Sequence, residues 1–92
     1  MSKILVVAEV EDLGKWEAGF RTHRDLFASQ TITKPIHFGS TGGNQVAVCF
    51  EPDDLSVCMS GFASPATAAA MASDGVKRET VKIFVLDKTF AV

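Results

Sequence analysis

The first third of the chain has the hydrophobic pattern of a strand followed by a helix. Apolar residues alternate over Lys3–Val10 and leave both faces largely apolar, which is typical of a strand covered on both sides. Asp12 has the chemistry of a helix N-cap, and large side chains follow it at spacings of three and four: Leu13, Trp16, Phe20, His23 or Arg24, and Phe27. The spacing predicts one amphipathic helix that reaches about Ala28. Gly14 and Gly19 each weaken it by about 1 kcal/mol relative to alanine, so we expect tertiary packing to hold it.

The middle of the chain predicts a hairpin. Thr31–Gly39 alternates apolar and polar residues, and it contains Pro35, which has no N–H to donate to a neighbouring strand. We therefore place this strand at an edge of the sheet. The glycine-rich cluster Ser40–Asn44 is a turn, and Asn44–Glu51 is the next strand.

The last third predicts a second helical region and a final strand. Pro52–Asp54 ends the preceding strand and offers a helix start. Ser64 at the N-cap and Pro65 at the first helical position begin an alanine-rich segment, which stops where Gly75 provides a C-cap. The alternation of apolar residues in Val81–Leu86 then predicts the last strand.

The resulting order of elements, β-α-β-β-α-β, predicts an α+β protein with a ferredoxin-like fold. We expect a four-stranded antiparallel sheet in the order 4-1-3-2, with both helices on one face. A length of 92 residues fits one domain, which we take as residues 1–92.

This fold leaves one sheet face without helices, and the alternation makes that face apolar. Its members are Leu5, Val7, Ala47, Cys49, Phe84 and Leu86. Burial of one such side chain contributes about 1.5 kcal/mol, so leaving all six exposed loses about 9 kcal/mol of stabilisation. This loss is comparable with the whole stability of a small domain, about 5–15 kcal/mol. We expect a homodimer in which two open sheet faces pack together as a barrel. The alternative is a monomer whose open face is interrupted by Glu9, Glu51, Lys82 and threonines.

Composition limits the kinds of partner that the protein is expected to bind and the cellular compartment in which it is expected. A net charge of −2 and a pI near 5.5 argue against a nucleic-acid-binding domain, which usually carries a basic patch. No apolar run approaches the roughly 20 residues of a membrane span, and no signal peptide is evident at the N-terminus. Cys49 and Cys58 form no CxxC motif and are expected to stay reduced. We expect a cytoplasmic protein without nucleic-acid or membrane partners.

Several motifs resemble those of the antibiotic biosynthesis monooxygenase-like superfamily of small dimeric α+β barrel proteins. Val10–Trp16, followed by Phe20 and His23, is similar to the opening pattern V-x-D-[FY]-x-K-W-x3-F-x2-H of that group. Glu51–Leu55 and Phe62–Pro65 resemble its acidic entry into the second helix and its F-x-S-P segment. The similarity covers nearly the whole chain, and its motifs are mainly structural.

Two departures from the group's pattern bear on activity. Leu13 stands where an aromatic residue is usual, and Asp25–Phe27 stands where the group has a longer arginine-rich segment. The resemblance implies the dimeric barrel, and it implies that the position of His23 faces a cavity between helix and sheet. Members of the group include oxygenases of aromatic polyketides, haem-degrading oxygenases, and small isomerases or lyases.

His23 is the candidate catalytic residue. A neutral imidazole can serve as a general base, and a position in the C-terminal part of the predicted helix favours its protonated form through the helix dipole. The structural alternative is a partly buried histidine whose ring is satisfied by a neighbouring carbonyl or carboxylate.

Trp16, Phe20, His37 and Arg24 are the candidate ligand-binding residues. Trp16 has the chemistry to stack on a planar ligand, although its helical spacing with Phe20 and Phe27 favours packing of the helix against the sheet. Arg24 has the chemistry to grip a carboxylate or phosphate, and a solvated helix flank is its alternative. His37 is expected to line the same cavity as His23. Two histidines without metal-ligand spacing give no basis for a metal site.

Two functions remain open from the sequence. The first is an enzyme without a bound cofactor that acts on a small apolar or aromatic substrate, either monooxygenase-like or isomerase/lyase-like, with His23 as base. The second is a non-catalytic dimer that binds a small molecule or serves as an accessory protein. A regulatory domain of the kind attached to larger enzymes is a third, less favoured by the length of 92 residues.

Overall fold

A computed structural model describes residues 2–92 and contains, within that range, one four-stranded antiparallel sheet with helices packed on it. The strands are β1 (Lys3–Val10), β2 (His37–Ser40), β3 (Gln45–Phe50) and β4 (Val76–Leu86), in the order β2-β3-β1-β4. The helices are α1 (Leu13–Phe20), α2 (Arg24–Ser29), α3 (Leu55–Phe62) and α4 (Pro65–Ser73). Read from the opposite edge, this order is the predicted 4-1-3-2, and the ferredoxin-like α+β fold is confirmed.

The hydrophobic core lies between the helices and the even-numbered positions of the two central strands. Strand register aligns Ile4 with Phe50 and Ala8 with Val46, so their side chains share the face that the helices cover. These positions join Trp16 of α1, Cys58 of α3 and Ile32 in the buried core, whose other members are Val10 and Val48.

The first helical region is broken, although the sequence predicts one helix to about Ala28. The chain leaves α1 in a tight turn in which the Thr22 hydroxyl donates to the carbonyl of Gly19 at 2.6 Å. A new helix then begins with the bond from the Phe27 N–H to the His23 carbonyl, at 3.0 Å. His23 is thus the N-cap of α2, and the helix-dipole argument that placed it near a helix C-terminus is wrong.

The second strand is shorter than predicted. β2 covers only four residues, His37–Ser40, although it does lie at the sheet edge as Pro35 indicated. Thr31 has a positive φ of 63°, which no regular strand permits and which is costly for a β-branched residue. Its backbone carbonyl accepts from the Asp53 N–H at 2.9 Å, and its hydroxyl accepts from the Asp54 N–H at 2.9 Å. These bonds turn the predicted start of the strand into a loop against the start of α3.

The predicted capping signals of the second helical region are confirmed. The Asp54 carboxylate accepts from the Val57 N–H at 3.1 Å at the start of α3. Ser64 is the N-cap of α4, with Pro65 in its first turn. Gly75 follows the end of α4 with a φ of 75°, a conformation that glycine adopts without steric cost.

The last strand begins earlier than predicted. β4 starts at Val76, and its pairing with β1 shifts register between Val7 and Glu9. Thr80 bridges the irregularity, because its hydroxyl accepts from the Glu9 N–H at 2.8 Å and donates to the Lys77 carbonyl at 2.6 Å. A side chain therefore supplies hydrogen bonds where the regular ladder is interrupted, which alternation alone does not predict.

The sheet face without helices is apolar along its central rows. Register places Leu5 between Cys49 and Phe84, and Val7 between Ala47 and Lys82. Phe84 is 47% exposed and Leu86 is 44% exposed. The predicted open face is thus present, and the polar residues Lys82 and His37 also lie on it. Among residues 2–92, no single helix is long and apolar enough to cross a membrane, and only α3 and α4 together, bent by 60°, satisfy that length and composition.

Burial of Cys58 makes the stability of the protein fall as the pH rises above 9. Loss of hydration raises the pKa of its thiol from 9.0 to about 11, so the folded state holds the proton more tightly than the unfolded state. The stabilisation is complete below pH 9 and is lost between pH 9 and pH 11. We expect urea unfolding to show a loss of roughly 2–3 kcal/mol over that range, and a smaller loss in Cys58→Ala. Equal losses in both proteins would contradict this assignment.

Candidate functional site

A cavity lies between the helical layer and the covered face of the sheet. Its volume is about 80 Å³, several times the roughly 10–15 Å³ that one water needs. Val6, Val48 and Phe50 of the sheet form its floor, and side chains of α1, α2 and α4 form its roof. Two of its lining residues reach the surface, since the His23 side chain is 22% exposed and Ile83 is 38% exposed. The cavity is therefore accessible from solvent.

Aromatic rings line one side of the cavity. Trp16 stacks on Phe20 with ring centroids 5.1 Å apart, and Phe20 contacts Phe27 at 5.1 Å. Phe27 in turn contacts Phe50 of the sheet at 5.6 Å, and Phe50 contacts Phe62 at 5.5 Å. The packing interpretation of Trp16 is confirmed, because the residue is buried in the core. Trp16 also lines the cavity, and its stacking on a ligand stays a prediction. A ligand here would meet flat apolar surfaces.

The polar side chains of the cavity include a histidine–aspartate pair. The distance from His23 Nε2 to Asp74 Oδ2 is 2.7 Å, and Asp74 is only 6% exposed. An ionised carboxylate can only accept a hydrogen bond, so a neutral His23 ring beside an ionised Asp74 must carry its proton on Nε2 and its lone pair on Nδ1. Although His23 is the N-cap of α2, its side chain makes no capping bond. Nδ1 is therefore the basic atom of the site.

Gly19 makes room for this pair. A Cβ at that position would collide with Asp74 Oδ1, so only glycine lets the carboxylate lie against the end of α1. The sequence identified Gly19 as a weakness of the helix. The structure shows that it is needed for the approach of α4.

Gln30 and Thr67 form a second polar group in the cavity wall. Gln30 is the C-cap of α2 and is 2% exposed, and its Nε2 donates to the Thr67 hydroxyl at 2.7 Å. Thr67 donates in turn to the carbonyl of Gly61 at 2.6 Å. The sequence analysis missed Gln30, Thr67 and Asp74, because none of them belongs to a recognisable motif and the fold alone brings them together.

Three of the five predicted site residues line the cavity: Trp16, Phe20 and His23. His37 does not, because β2 pairs it with Cys49 on the open face of the sheet, opposite the cavity. Arg24 is exposed in the first turn of α2 and lies outside the cavity lining. The expectation that His37 lines the same cavity as His23 is therefore wrong. Contact of Arg24 with a ligand stays a prediction.

No metal-binding cluster occurs in the described part of the chain. Within residues 2–92, no three histidine, cysteine, aspartate or glutamate side chains group closely enough to hold an ion. The two histidines also lie on opposite faces of the sheet. The polar side chains that line the cavity include His23, Asp74, Gln30 and Thr67, which can form hydrogen bonds.

Comparisons with known proteins identify the fold. No protein-family profile and no curated protein sequence matches the chain. Among solved structures, a candidate antibiotic biosynthesis monooxygenase from Bordetella bronchiseptica is similar, with a TM-score of 0.73 and 11% identity over 97% of both chains. SnoaB, a cofactor-independent oxygenase from Streptomyces nogalater, is similar with a TM-score of 0.70 and 12% identity, over 99% of this chain and 95% of that one.

A plant protein shares the same architecture. At3g17210 from Arabidopsis thaliana is similar with a TM-score of 0.69 and 14% identity, over 100% of this chain and 99% of that chain. At such low identity the likeness shows the fold alone. The chain thus has the ferredoxin-like α+β fold of antibiotic biosynthesis monooxygenase-like proteins.

The two glycines of α1 are expected to respond oppositely to alanine. Gly14→Ala places a Cβ 3.6 Å from Asp12 Oδ1, an ordinary contact, and should stabilise the protein by about 0.5–1 kcal/mol through helix propensity. Gly19→Ala must displace Asp74 and should destabilise it by about 1–3 kcal/mol. Urea unfolding of the two variants measures both effects. Stabilisation by Gly19→Ala would show that the tight approach of Asp74 is not required.

Proposed function

We propose that the protein binds a small apolar or aromatic molecule in this cavity and that His23 acts on it as a general base. The observation that carries the proposal is the His23–Asp74 pair in the wall of a solvent-accessible apolar cavity. Asp74 fixes the proton on Nε2, which leaves Nδ1 to take a proton from the ligand. The aromatic wall supplies the contact area that holds a planar ligand.

The chemistry follows from one proton transfer. A carbon acid next to a carbonyl or an aromatic ring loses its proton to Nδ1, and the electron pair is delocalised into that group. In an isomerase or lyase, the imidazolium then returns the proton to another atom of the substrate. In an oxygenase, dioxygen is the second reactant, and a CH2 group becomes C=O while the other oxygen atom leaves as water. The fold likeness to SnoaB supports the oxygenase form.

A second candidate function, a non-catalytic binding or accessory protein, also has a specific observation in its favour. The bond between His23 and Asp74 joins α2 to the end of α4, so it has a structural value without catalysis. In this case the cavity binds its ligand and releases it unchanged. Both candidate functions take the same class of ligand. They differ in whether His23 removes a proton from that ligand.

Deuterium exchange into a small carbon acid separates these candidates. With 2-indanone in D2O, we expect the protein to accelerate exchange at the α-carbon, and His23→Gln to remove that acceleration. Asp74→Asn should lower it by tenfold or more, because the ring loses the partner that fixes its tautomer. Glu17→Gln on the exposed face of α1 is the matched control and should retain it.

Binding without acceleration would support the non-catalytic candidate. Acceleration that survives in His23→Gln would exclude His23 as the base. Binding itself is followed through the indole N–H signal of Trp16, which lines the cavity.

We also propose that two copies pair through their open sheet faces. The support is the row that joins Cys49, Leu5 and Phe84 across three strands, which is apolar and lacks any covering element among residues 2–92. A face of this kind is typical of an interface. The proposal makes the second copy the partner that completes a barrel.

A charge on the open face is expected to separate the copies. Native mass spectrometry should give twice the 9.9 kDa chain mass for the unaltered protein and the single mass for Phe84→Glu, because a buried carboxylate lacks a partner there. Val57→Glu is the matched control, since Val57 is 43% exposed on α3, away from this face. A monomer at every concentration of the unaltered protein would refute the proposed pairing.

A further inference from the structure

The amide oxygen of Gln30 is a buried acceptor that the proposed function does not use. Gln30 lines the cavity and is 2% exposed, and its Oε1 has no hydrogen-bond partner among residues 2–92. A buried polar atom without a partner lowers stability, and native proteins rarely keep one without a reason. This atom is therefore a candidate contact for a ligand.

The hydrogen bonds around Gln30 fix which end of its amide is free. The Gly61 carbonyl can only accept, so the 2.6 Å contact with Thr67 uses the single proton of the Thr67 hydroxyl. Thr67 must then accept from Gln30, and only Nε2 can donate to it. The amide oxygen is consequently the atom left without a partner, and the alternative orientation of the amide would break this relay.

Close packing at Gly61 and backbone strain at Thr31 accompany the buried position of Gln30. A Cβ at Gly61 would lie 2.6 Å from Gln30 Cγ, so glycine is needed for the close packing of this side chain against α3. Thr31, the next residue, has the strained φ of 63°, and bonds to Asp53 and Asp54 maintain it. Strain of this kind persists only where the surrounding structure enforces it, and it is concentrated at functional positions.

We propose that Gln30 Oε1 is a specificity-determining acceptor for a hydroxyl or N–H group of the cavity ligand. The inference rests on the proposed function, because it assumes that the cavity binds a small aromatic or apolar molecule. His23 and Gln30 cap opposite ends of α2, which places their Cα atoms about 10 Å apart. The ligand class is thereby narrowed to small hydroxylated or amino-substituted aromatic molecules, with the donor group at the end remote from the base.

Phenol and toluene form a matched pair of probes for this inference. The two molecules have the same ring and nearly the same size, and hydrophobicity alone favours toluene. We expect the unaltered protein to bind phenol about tenfold more tightly than toluene, because one additional hydrogen bond changes the dissociation constant by about that factor. The indole N–H signal of Trp16 in NMR titrations gives both dissociation constants.

Variants identify the atom responsible for the preference. Gln30→Met, which keeps the length of the side chain, should abolish the phenol preference, and Thr67→Val, which releases the amide, should reduce it. Gln45→Met is the matched control on the exposed side of β3 and should keep the preference. His23→Gln is the comparison for the other acceptor of the cavity, since His23 Nδ1 can also accept from a phenol hydroxyl. A phenol preference that is lost in His23→Gln and kept in Gln30→Met would overturn the role of Gln30.

Each outcome decides the inference. Equal binding of phenol and toluene by the unaltered protein, or a phenol preference that survives in Gln30→Met, would overturn the role of Gln30 and leave the proposed cavity function standing. Binding of neither probe at millimolar concentration would overturn both. A phenol preference that is abolished in Gln30→Met, reduced in Thr67→Val and retained in Gln45→Met would establish the acceptor.

Discussion

The contact between His23 and Asp74 is the interaction on which the site depends. It joins the start of α2 to the end of α4 at 2.7 Å and so fixes two separate helices over one cavity. Gly19 permits the contact because it has no side chain to displace the carboxylate. The break between α1 and α2 serves the same geometry, since it presents His23 at a helix start with its Nδ1 free of capping bonds. One contact thus sets the tautomer of the His23 ring, the access of a ligand to Nδ1 and the packing of α2 against the end of α4.

The cavity combines a large apolar surface with polar groups at opposite ends of α2. Aromatic rings from α1, α2 and β3 pack against one another at centroid distances between 5.1 Å and 5.6 Å. His23 precedes α2 and Gln30 follows it. Polar groups in an apolar environment interact strongly with a matching partner, which is the physical basis for the roles proposed for these two positions.

The sheet separates two different surfaces. Its covered face supplies the floor of the cavity, and its open face carries the row of Leu5, Cys49 and Phe84. Substitutions on one face need not disturb the other, because alternate residues of a strand point to opposite sides. The same alternation explains the corrected position of His37, which shares its row with Cys49 rather than with the cavity.

Local periodicity and capping chemistry predicted the succession of strands and helical regions, the helix starts at Pro52–Asp54 and Ser64, and the apolar open face, because these depend on residues close together in the chain. The strand order was predicted from topological rules applied to that succession. The sequence also identified Trp16, Phe20 and His23, because helical spacing places them on one stripe. Only the tertiary structure decided the break after α1, the loop that begins at Thr31, and the partners of His23 and Gln30. Asp74 and Thr67 lie 51 and 37 residues from those partners, and at such separations only the packing of helices on the sheet determines which side chains meet.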